Sequence, residues 1–302
     1  MRKVYIDFMG NRNRLFIASG VIIAVGIGAL LLRGLLFGIE FKGGTVMTFN
    51  RAPGVSISQV RAELRKAGVP DSGNALIQST QDGGYIVRTA EVDADKASTA
   101  YTKVATDLKL AQKDGDVTTI GPGWGKNITN KALIALALSM AAILVYISFR
   151  FEYKMSVTAV IALVHDALIT LGVYALVGRE VTPNTVAALL TILGYSLYDT
   201  IVVFHRIREN SQRITKQTFM QMANDSINQV LIRWINTGLS SLIPVVVLLI
   251  FGGSTLKDFA FALTVGLVSG AYSSVAIAAP LYAMWKEREP RFRALAKKLA
   301  KA

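Results

Sequence analysis

Six apolar stretches, each near the roughly 20 residues that an α-helix needs to cross a bilayer, constrain this chain more than any other feature. The chain has 302 residues, 52% of them hydrophobic, and its mean hydropathy is +0.43. Such values predict a polytopic α-helical membrane protein with six transmembrane helices. The first stretch is too long for the apolar core of a signal peptide, about 7–15 residues, and is interpreted as an uncleaved span. The predicted spans are Leu15–Phe37, Ala132–Phe149, Ser156–Val177, Asn184–Phe204, Val230–Phe251 and Phe259–Met284.

The distribution of basic residues predicts the orientation of these spans. The net charge is +13, and the basic residues are concentrated before span one, between spans two and three, between spans four and five, and after span six. All these segments fall on the same side of the membrane. The positive-inside rule therefore predicts that both termini are cytoplasmic. Nucleic-acid binding is the weaker explanation of the charge, and the tail over 285–302 is expected to lie along anionic lipids. The basic residues outside the tail that carry this argument are Arg2, Lys3, Arg12, Arg14, Arg150, Lys154, Arg206, Arg208, Arg213 and Lys216.

The only sizeable polar region, residues 38–131, is predicted to be an exported domain between spans one and two. Its pattern predicts a βαββαβ order, typical of a small ferredoxin-like α+β sandwich. It shows no paired acid and base, no activated nucleophile and no phosphate-binding loop, so a gripping role is favoured over catalysis and a passive spacer is the alternative. The predicted elements are Thr45–Phe49, Ser56–Ala67, Ala75–Thr80, Tyr85–Thr89, Asp93–Ala111 and Val117–Ile120, with a hairpin around Asp82.

The predicted layout has four parts. Residues 1–37 are the basic N-terminus and span one, and 38–131 the exported domain. Residues 132–284 hold spans two to six and include a cytoplasmic amphipathic segment over 205–229. Residues 285–302 form the basic tail. There are no cysteines and two histidines, so neither disulfides nor a His-rich metal site is expected, and no cofactor is predicted.

A glycine cluster, GIEFKGGT at 38–45, follows the first span. Glycine permits positive φ and close backbone approach, so Gly38, Gly43 and Gly44 predict a hinge or turn around Glu40. The cluster lacks the GxxxxGK[ST] spacing of a phosphate-binding loop.

Charged residues inside the predicted spans are the main functional signal, because a carboxylate at bilayer depth costs roughly 2.5–3.5 kcal/mol. Asp199 shares a helix face with Tyr195, and Arg233 in span five is predicted at a similar depth. The two could form a structural ion pair, or Asp199 could titrate as a proton-carrying carboxylate with Arg233 as its counter-charge. In span three, His165 is expected to be a packed, hydrogen-bonded side chain, and Asp166 is either a second proton site or a structural hydrogen-bond acceptor.

Six motifs in order resemble the SecF family, the smaller membrane subunit of the SecD–SecF complex of bacterial protein secretion. The resemblance covers nearly the whole chain. Four residues depart from the usual family pattern: Glu40 stands in place of Asp, Lys42 in place of a small polar residue, His205 in place of Asp, and Trp234 in place of Thr. The motifs are GIEFKGGT at 38–45, IGPGWG at 120–125, FRFEYK at 149–154, LVHDALITLG at 163–172, LGYSLYDTIVVFHRIREN at 193–210 and NDSINQVLIRWINTGLSS at 224–241.

The resemblance implies a place in the resistance-nodulation-division superfamily and a location in the bacterial inner membrane. It implies that the chain works with SecD and the SecYEG channel, where proton flow drives movement of exported domains on an unfolded polypeptide. The family's functional acid and arginine correspond to Asp199 and Arg233, and Gly194 lies in the same motif as Asp199 as a candidate hinge.

Three other functions remain open on the sequence. One is half of a proton-driven exporter of lipids or small molecules. Another is an intramembrane aspartyl protease, with Asp166 and Asp199 as the dyad, although the GxGD context of such enzymes is missing. The third is a scaffold that stabilises a channel without transporting, in which Asp199 would be dispensable.

Overall fold

The computed structural model describes residues 5–50, 54–80, 83–110, 115–212 and 214–300. Arg2, Lys3 and Arg213 of the orientation argument, Asp82 of the predicted hairpin and Ala111 at the end of a predicted helix lie outside these residues. The chain divides into two compact units, one formed by Met1–Leu36 with Ala135–Ala302 and the other by Phe37–Ile134.

In the described residues, six helical stretches are long and apolar enough to cross a membrane, as predicted. The sixth is composite, because a π-helical segment, Ser274–Ala278, separates α9 from α10. The helices are α1 (Arg12–Arg33), α2 (Ile39–Lys42), α3 (Ile57–Lys66), α4 (Ala94–Asp107), α5 (Pro122–Arg150), α6 (Tyr153–Val177), α7 (Pro183–Ser211), α8 (Phe219–Phe251), α9 (Ser254–Ser273), α10 (Ala279–Glu287) and α11 (Pro290–Leu299). The strands are β1 (Leu36–Phe37), β2 (Gly44–Phe49), β3 (Leu76–Ser79), β4 (Tyr85–Thr89), β5 (Asp116–Ile120) and β6 (Glu180–Val181).

Glycines bring helices of the first unit into close contact. A Cβ added to Gly172 of α6 would lie 2.7 Å from the Cα of Gly26 on α1. On α9, a Cβ at Gly266 or Gly270 would collide with Ile192 or Ser196 of α7. Small residues spaced by four allow such close approach in membranes, where tight packing replaces the hydrophobic effect as the force between helices.

The predicted amphipathic segment over 205–229 is not observed as a separate element. Instead α7 continues to Ser211, and α8 begins at Phe219 behind a capping box made by Thr218 and Gln221. Phe219 is fully buried, and its ring packs 4.7 Å from the ring of Phe292 on α11. The apolar residues of this segment therefore form a protein core, which the alternation of polar and apolar residues could not distinguish from a membrane-facing stripe.

The second unit contains a four-stranded antiparallel sheet and the helices α3 and α4, together with the short helix α2 and the first residues of α5. From β2 to β5 the elements follow the order β2–α3–β3–β4–α4–β5, and the strands lie in the order β3–β4–β2–β5. Thr45 lies opposite both Thr89 and Thr119, so β2 is central. Ser56 caps α3 through a capping box with Gln59. Helix α4 ends at Asp107, and Lys109 has a φ of 53°, so the helix is shorter than predicted.

Two further predictions differ from the structure. Helix α5 begins at Pro122 and runs through residue 131, where the sequence placed the end of the polar domain. Between Gly38 and Gly44 the chain forms the short helix α2, which contains Glu40, rather than a simple turn. Gly38 has an ordinary φ of −62°, whereas Gly43 and Gly44 have φ values of 77° and 137°. Only the latter two positions need glycine for their backbone.

Candidate functional site

Asp199 lies on α7 beside a small cleft between α7, α8 and α9. The carboxylate is partly buried, and no ion pair or side-chain hydrogen bond to it occurs among the described residues. The cleft has a volume of about 20 Å³, enough for roughly one water molecule. Its lining residues are Tyr195, Ser196, Asp199, Thr237, Gly238, Ser241, Leu267, Gly270 and Ala271. A carboxylate in a membrane helix therefore faces a small space with both polar and apolar walls rather than a fixed partner.

Arg233 does not pair with Asp199 in this structure. No ion pair joins the two within the described part of the chain, and the Arg233 guanidinium donates to the hydroxyl of Tyr198 at 3.3 Å. Arg233 is exposed on α8. Tyr198 and its neighbour Asp199 lie on different sides of α7, because adjacent residues of an α-helix are rotated by about 100° around the helix axis. Arg233 thus reaches α7 as its predicted depth implies, but it contacts Tyr198 rather than the adjacent Asp199.

Both residues also lie farther from their helix ends than the sequence predicts. Asp199 lies 12 residues before Ser211, the last residue of α7, and Arg233 lies 14 residues after Phe219, the first of α8. The predicted spans ended at Phe204 and began at Val230. The difference arises because the helices continue as packed protein structure beyond the apolar stretches.

Asp166 has the opposite environment. It is fully buried, and three serine hydroxyls donate to its carboxylate. Ser196 of α7 and Ser273 of α9 bind Oδ2 at 2.6 and 2.8 Å, and Ser269 of α9 binds Oδ1 at 2.7 Å. Nδ1 of the neighbouring His165 lies 3.1 Å from Oδ1. These four polar contacts occupy the roughly four acceptor positions of the carboxylate. Because they come from α6, α7 and α9, the Asp166 side chain links these three helices by hydrogen bonds.

Ser269 and Ser273 of span six are not among the site residues predicted from the sequence. Their spacing, Ser269 and Ser273 at i and i+4, is the signal that could have placed two donors on one face opposite Asp166. The π-helical segment that follows begins with Ser274, whose hydroxyl lies 2.9 Å from that of Thr200. π-Helical turns are frequent at functional sites, and here one adjoins the buried carboxylate.

Two other predicted residues have different surroundings. Tyr195 is 48% exposed and lines the Asp199 cleft. Gly194 is exposed, and a Cβ built there would meet nothing within 4 Å, so packing does not require glycine. Asp166 and Asp199 share no hydrogen bond among the described residues, and serines saturate Asp166. This geometry gives no support to an aspartyl protease dyad, in which two carboxylates share one proton.

A second polar cluster lies at the N-terminal end of α8, close to Phe219, and it was not predicted from the sequence. The Asn224 side chain accepts hydrogen bonds from the backbone N–H groups of Phe8 and Met9 and donates to the carbonyl of Ile6. Asn228, one turn later, pairs with the N–H and carbonyl of Ile6. The segment over residues 5–9, here called the N-terminal strap, is thereby bound to α8.

The six apolar helices and the buried polar groups between them define a multi-pass membrane protein with ionisable residues in its helical core. Residues 100–288 match the family described as "Protein export membrane protein SecD/SecF, C-terminal". The chain therefore belongs to the SecD/SecF family of protein-export membrane proteins.

Individual relatives agree with this assignment. The chain is 41% identical to the protein translocase subunit SecF of Streptomyces coelicolor, over 98% of this chain and 81% of that protein. It is 36% identical to SecF of Mycobacterium tuberculosis over 93% of this chain and 67% of that protein. A crystal structure of SecDF from Thermus thermophilus, described as a translocon-associated membrane protein, superimposes with a TM-score of 0.87 at 34% identity. That match covers 94% of this chain and 39% of the Thermus protein.

Proposed function

We propose that this chain is a SecF-type subunit that, together with SecD, uses the proton-motive force to promote polypeptide translocation through the SecYEG channel. In this proposal the chain lies in the bacterial inner membrane with both termini in the cytoplasm. Residues 37–134 form an exported, ferredoxin-like domain that acts on unfolded polypeptide. The chain itself is not an enzyme, and protons are its coupling ion.

The observation that carries the proposal is the position of Asp199. It lies in a membrane-spanning helix, half-buried against a cleft of one-water size, without an ion-pair partner among the described residues. A permanently ionised carboxylate in such a place would be expensive, whereas one that binds and releases a proton from a bound water can alternate between charged and neutral forms. One charge moving across 100 mV corresponds to about 2.3 kcal/mol, which can drive a conformational cycle.

Arg233 is proposed as the counter-charge that responds to this alternation. It is one helical turn from Thr237, which lines the cleft, and Thr237 donates to its backbone carbonyl. A change of rotamer could transfer the guanidinium from Tyr198 towards the ionised Asp199. The structure would then represent the state in which Asp199 is neutral and Arg233 is bound to the phenol.

The test is Asp199→Asn in the chain co-expressed with SecD. The assay is gradient-dependent completion of secretion in inverted membrane vesicles after the ATP-driven stage has been stopped. We expect loss of the gradient-dependent phase, because an amide cannot exchange a proton at this position. The charge-matched control is Asp107→Asn, which removes an exposed carboxylate at the end of α4 and should leave the phase intact.

Wild-type completion by the Asp199→Asn variant, at normal abundance and assembly, would contradict proton coupling through this carboxylate. It would favour a scaffold that stabilises the channel without transporting. Export of a lipid or small molecule by the same helices would instead support the half-exporter.

A further inference from the structure

The carboxylate of Asp166 and the cleft of Asp199 are connected by one side chain. Ser196 lies on α7, one turn before Asp199, and its hydroxyl is 2.6 Å from Oδ2 of Asp166. The same residue lines the one-water cleft that Asp199 borders. Gly270 of α9, which also lines the cleft, lies against Ser196, because a Cβ built on this glycine would come within 2.8 Å of the Ser196 Cβ.

We propose that Ser196 passes protons between Asp199 and Asp166, and that Asp166 is a second, deeper proton-binding site. This inference rests on the proposed function of Asp199. A water in the cleft would bridge Asp199 and Ser196. In the transfer, protonated Asp199 gives its proton to that water, which gives a proton to Ser196 Oγ. The original Ser196 proton moves to Oδ2 of Asp166, so Asp199 becomes a carboxylate and Asp166 a carboxylic acid.

Ser273 lets the buried site satisfy its hydrogen bonds in both protonation states. Its hydroxyl lies 2.8 Å from Oδ2 of Asp166 and 3.2 Å from the carbonyl of Gly270. When Asp166 is ionised, Ser273 donates to the carboxylate. When Asp166 is protonated, the new O–H donates to Ser273, which turns its own hydrogen to the Gly270 carbonyl. A hydroxyl carries one hydrogen and two acceptor positions, so this reversal needs no movement of the backbone.

The groups that face Asp166 come from three helices. Its own helix, α6, supplies His165, and α7 supplies Ser196. Helix α9 supplies Ser269, Ser273 and Tyr272, whose ring stacks on that of His165 at 6.2 Å. No lysine, arginine or second carboxylate of the described residues contacts Asp166. His165 and Tyr272 are thus the other ionisable side chains of this set.

Time-resolved infrared spectroscopy after a pH jump tests the proposal on the full chain reconstituted with SecD. Protonated carboxylic acids give a carbonyl stretch that ionised carboxylates lack. The expected result is two such bands, one absent from Asp199→Asn and one absent from Asp166→Asn. In Ser196→Ala the Asp199 band should rise as in the wild type, while the Asp166 band should rise at least about tenfold more slowly. This effect is smaller than the roughly 10²–10⁴-fold that a positioned proton donor contributes, because a water can partly replace the lost hydroxyl.

The matched control is Ser226→Ala, which removes another fully buried serine hydroxyl, one that donates to the carbonyl of Met222 on α8. Ser226 has no hydrogen bond to Asp166 and does not line the cleft, so the rate of the Asp166 band should stay within about twofold of the wild type, far below the effect of losing a positioned proton donor. An Asp166 band that is absent at every pH, or one that rises equally fast in Ser196→Ala and wild type, would overturn the relay while leaving the role of Asp199 intact. Absence of the Asp199 band would overturn the proposed function itself.

Discussion

Asp166 and Asp199 show how differently the same side chain can be accommodated inside a membrane helix. Asp166 receives three serine hydroxyls and an imidazole, which together replace the water that it would bind in solution. Asp199 has no such set among the described residues and faces a cleft of one-water size. A buried polar network is stable only when each member is satisfied, so Asp166 is an anchor of the fold at any moment. Asp199 depends on a water or on a moving partner.

Glu289 allows a prediction outside the spans. Its carboxylate binds the buried Lys154 at 2.7 Å and Lys286 at 3.1 Å. Partial burial raises the pKa of Glu289, but hydrogen bonds from Lys154 and Lys286 outweigh burial and hold that pKa below its ordinary value. A lowered folded-state pKa contributes stability above the unfolded pKa, and this stability is lost as pH falls through the folded one.

We therefore expect α11, which begins at Pro290, to become less firmly attached as the pH falls below the ordinary pKa of a glutamate, about 4.3. Hydrogen exchange of the α11 amides, corrected for the intrinsic pH dependence of exchange, measures this. Glu289→Gln should show low protection already at neutral pH and little further change on acidification. Glu209→Gln, which removes an exposed carboxylate paired with Arg206, is the control and should behave as the wild type. Full α11 protection in Glu289→Gln at neutral pH would contradict the prediction.

At the scale of elements, the helical unit is held by two different devices. Gly26 and Gly172 allow α1 and α6 to approach closely, and two glycines of α9, Gly266 and Gly270, allow that helix to approach α7. These contacts follow from small residues spaced along the helices. The N-terminal strap is attached to α8 by the amide side chains of Asn224 and Asn228, which form hydrogen bonds to its backbone N–H and carbonyl groups. The strap joins the segment before α1 to the helix that carries Arg233.

The strap predicts the effect of Asn224→Ala. The substitution removes the acceptor of the Phe8 and Met9 N–H groups, both in a buried setting. Each buried donor left unsatisfied costs about 1–3 kcal/mol, so thermal stability of the purified chain should fall and the strap amides should exchange faster. Asn236→Ala, which changes an exposed asparagine of the same helix, should do neither. Equal stability of the two variants would show that the strap does not hold α8.

At the scale of the whole molecule, the helical unit exposes polar side chains that a lipid environment would not tolerate well. Tyr195 and Tyr198 on α7, and Arg233, Asn236 and Ser240 on α8, are all exposed and lie within the spanning helices. Polar groups at such depth belong against protein or a hydrated path. The α1 surface around Val21 is exposed and apolar, as a lipid-facing surface should be.

The expected cover of the polar surface is the membrane part of SecD. A photo-cross-linking amino acid at Asn236 should therefore form a product with co-expressed SecD, because the polar surface is buried in the complex. The same amino acid at Val21 is the control and should give little or none. Strong cross-linking from Val21 together with none from Asn236 would place the partner on a different face.

Much of this architecture was accessible from the sequence because its signals are local. A single segment in lipid must form its backbone hydrogen bonds within itself, so it must be a helix. Each apolar run long enough to cross the bilayer therefore predicted one spanning helix. The spacing of apolar residues along a strand or a helix is a local signal too, and it predicted the elements of the small unit. The high cost of charge in lipid likewise drew attention to Asp199, Arg233 and Asp166 before any contact was known.

The contacts themselves were decided only by tertiary structure. Whether Phe219 and Met222 face lipid or protein depends on what packs against them, and the packing of Phe292 decided for a protein core. Likewise, depth along two helices could place Arg233 beside α7, but helix rotation gave it Tyr198 instead of Asp199. The three serines around Asp166 come from two helices, one of them more than 100 residues away along the chain. A side chain's partners across helices depend on rotation and register, which are set by the packing of all the helices together and which no local pattern encodes.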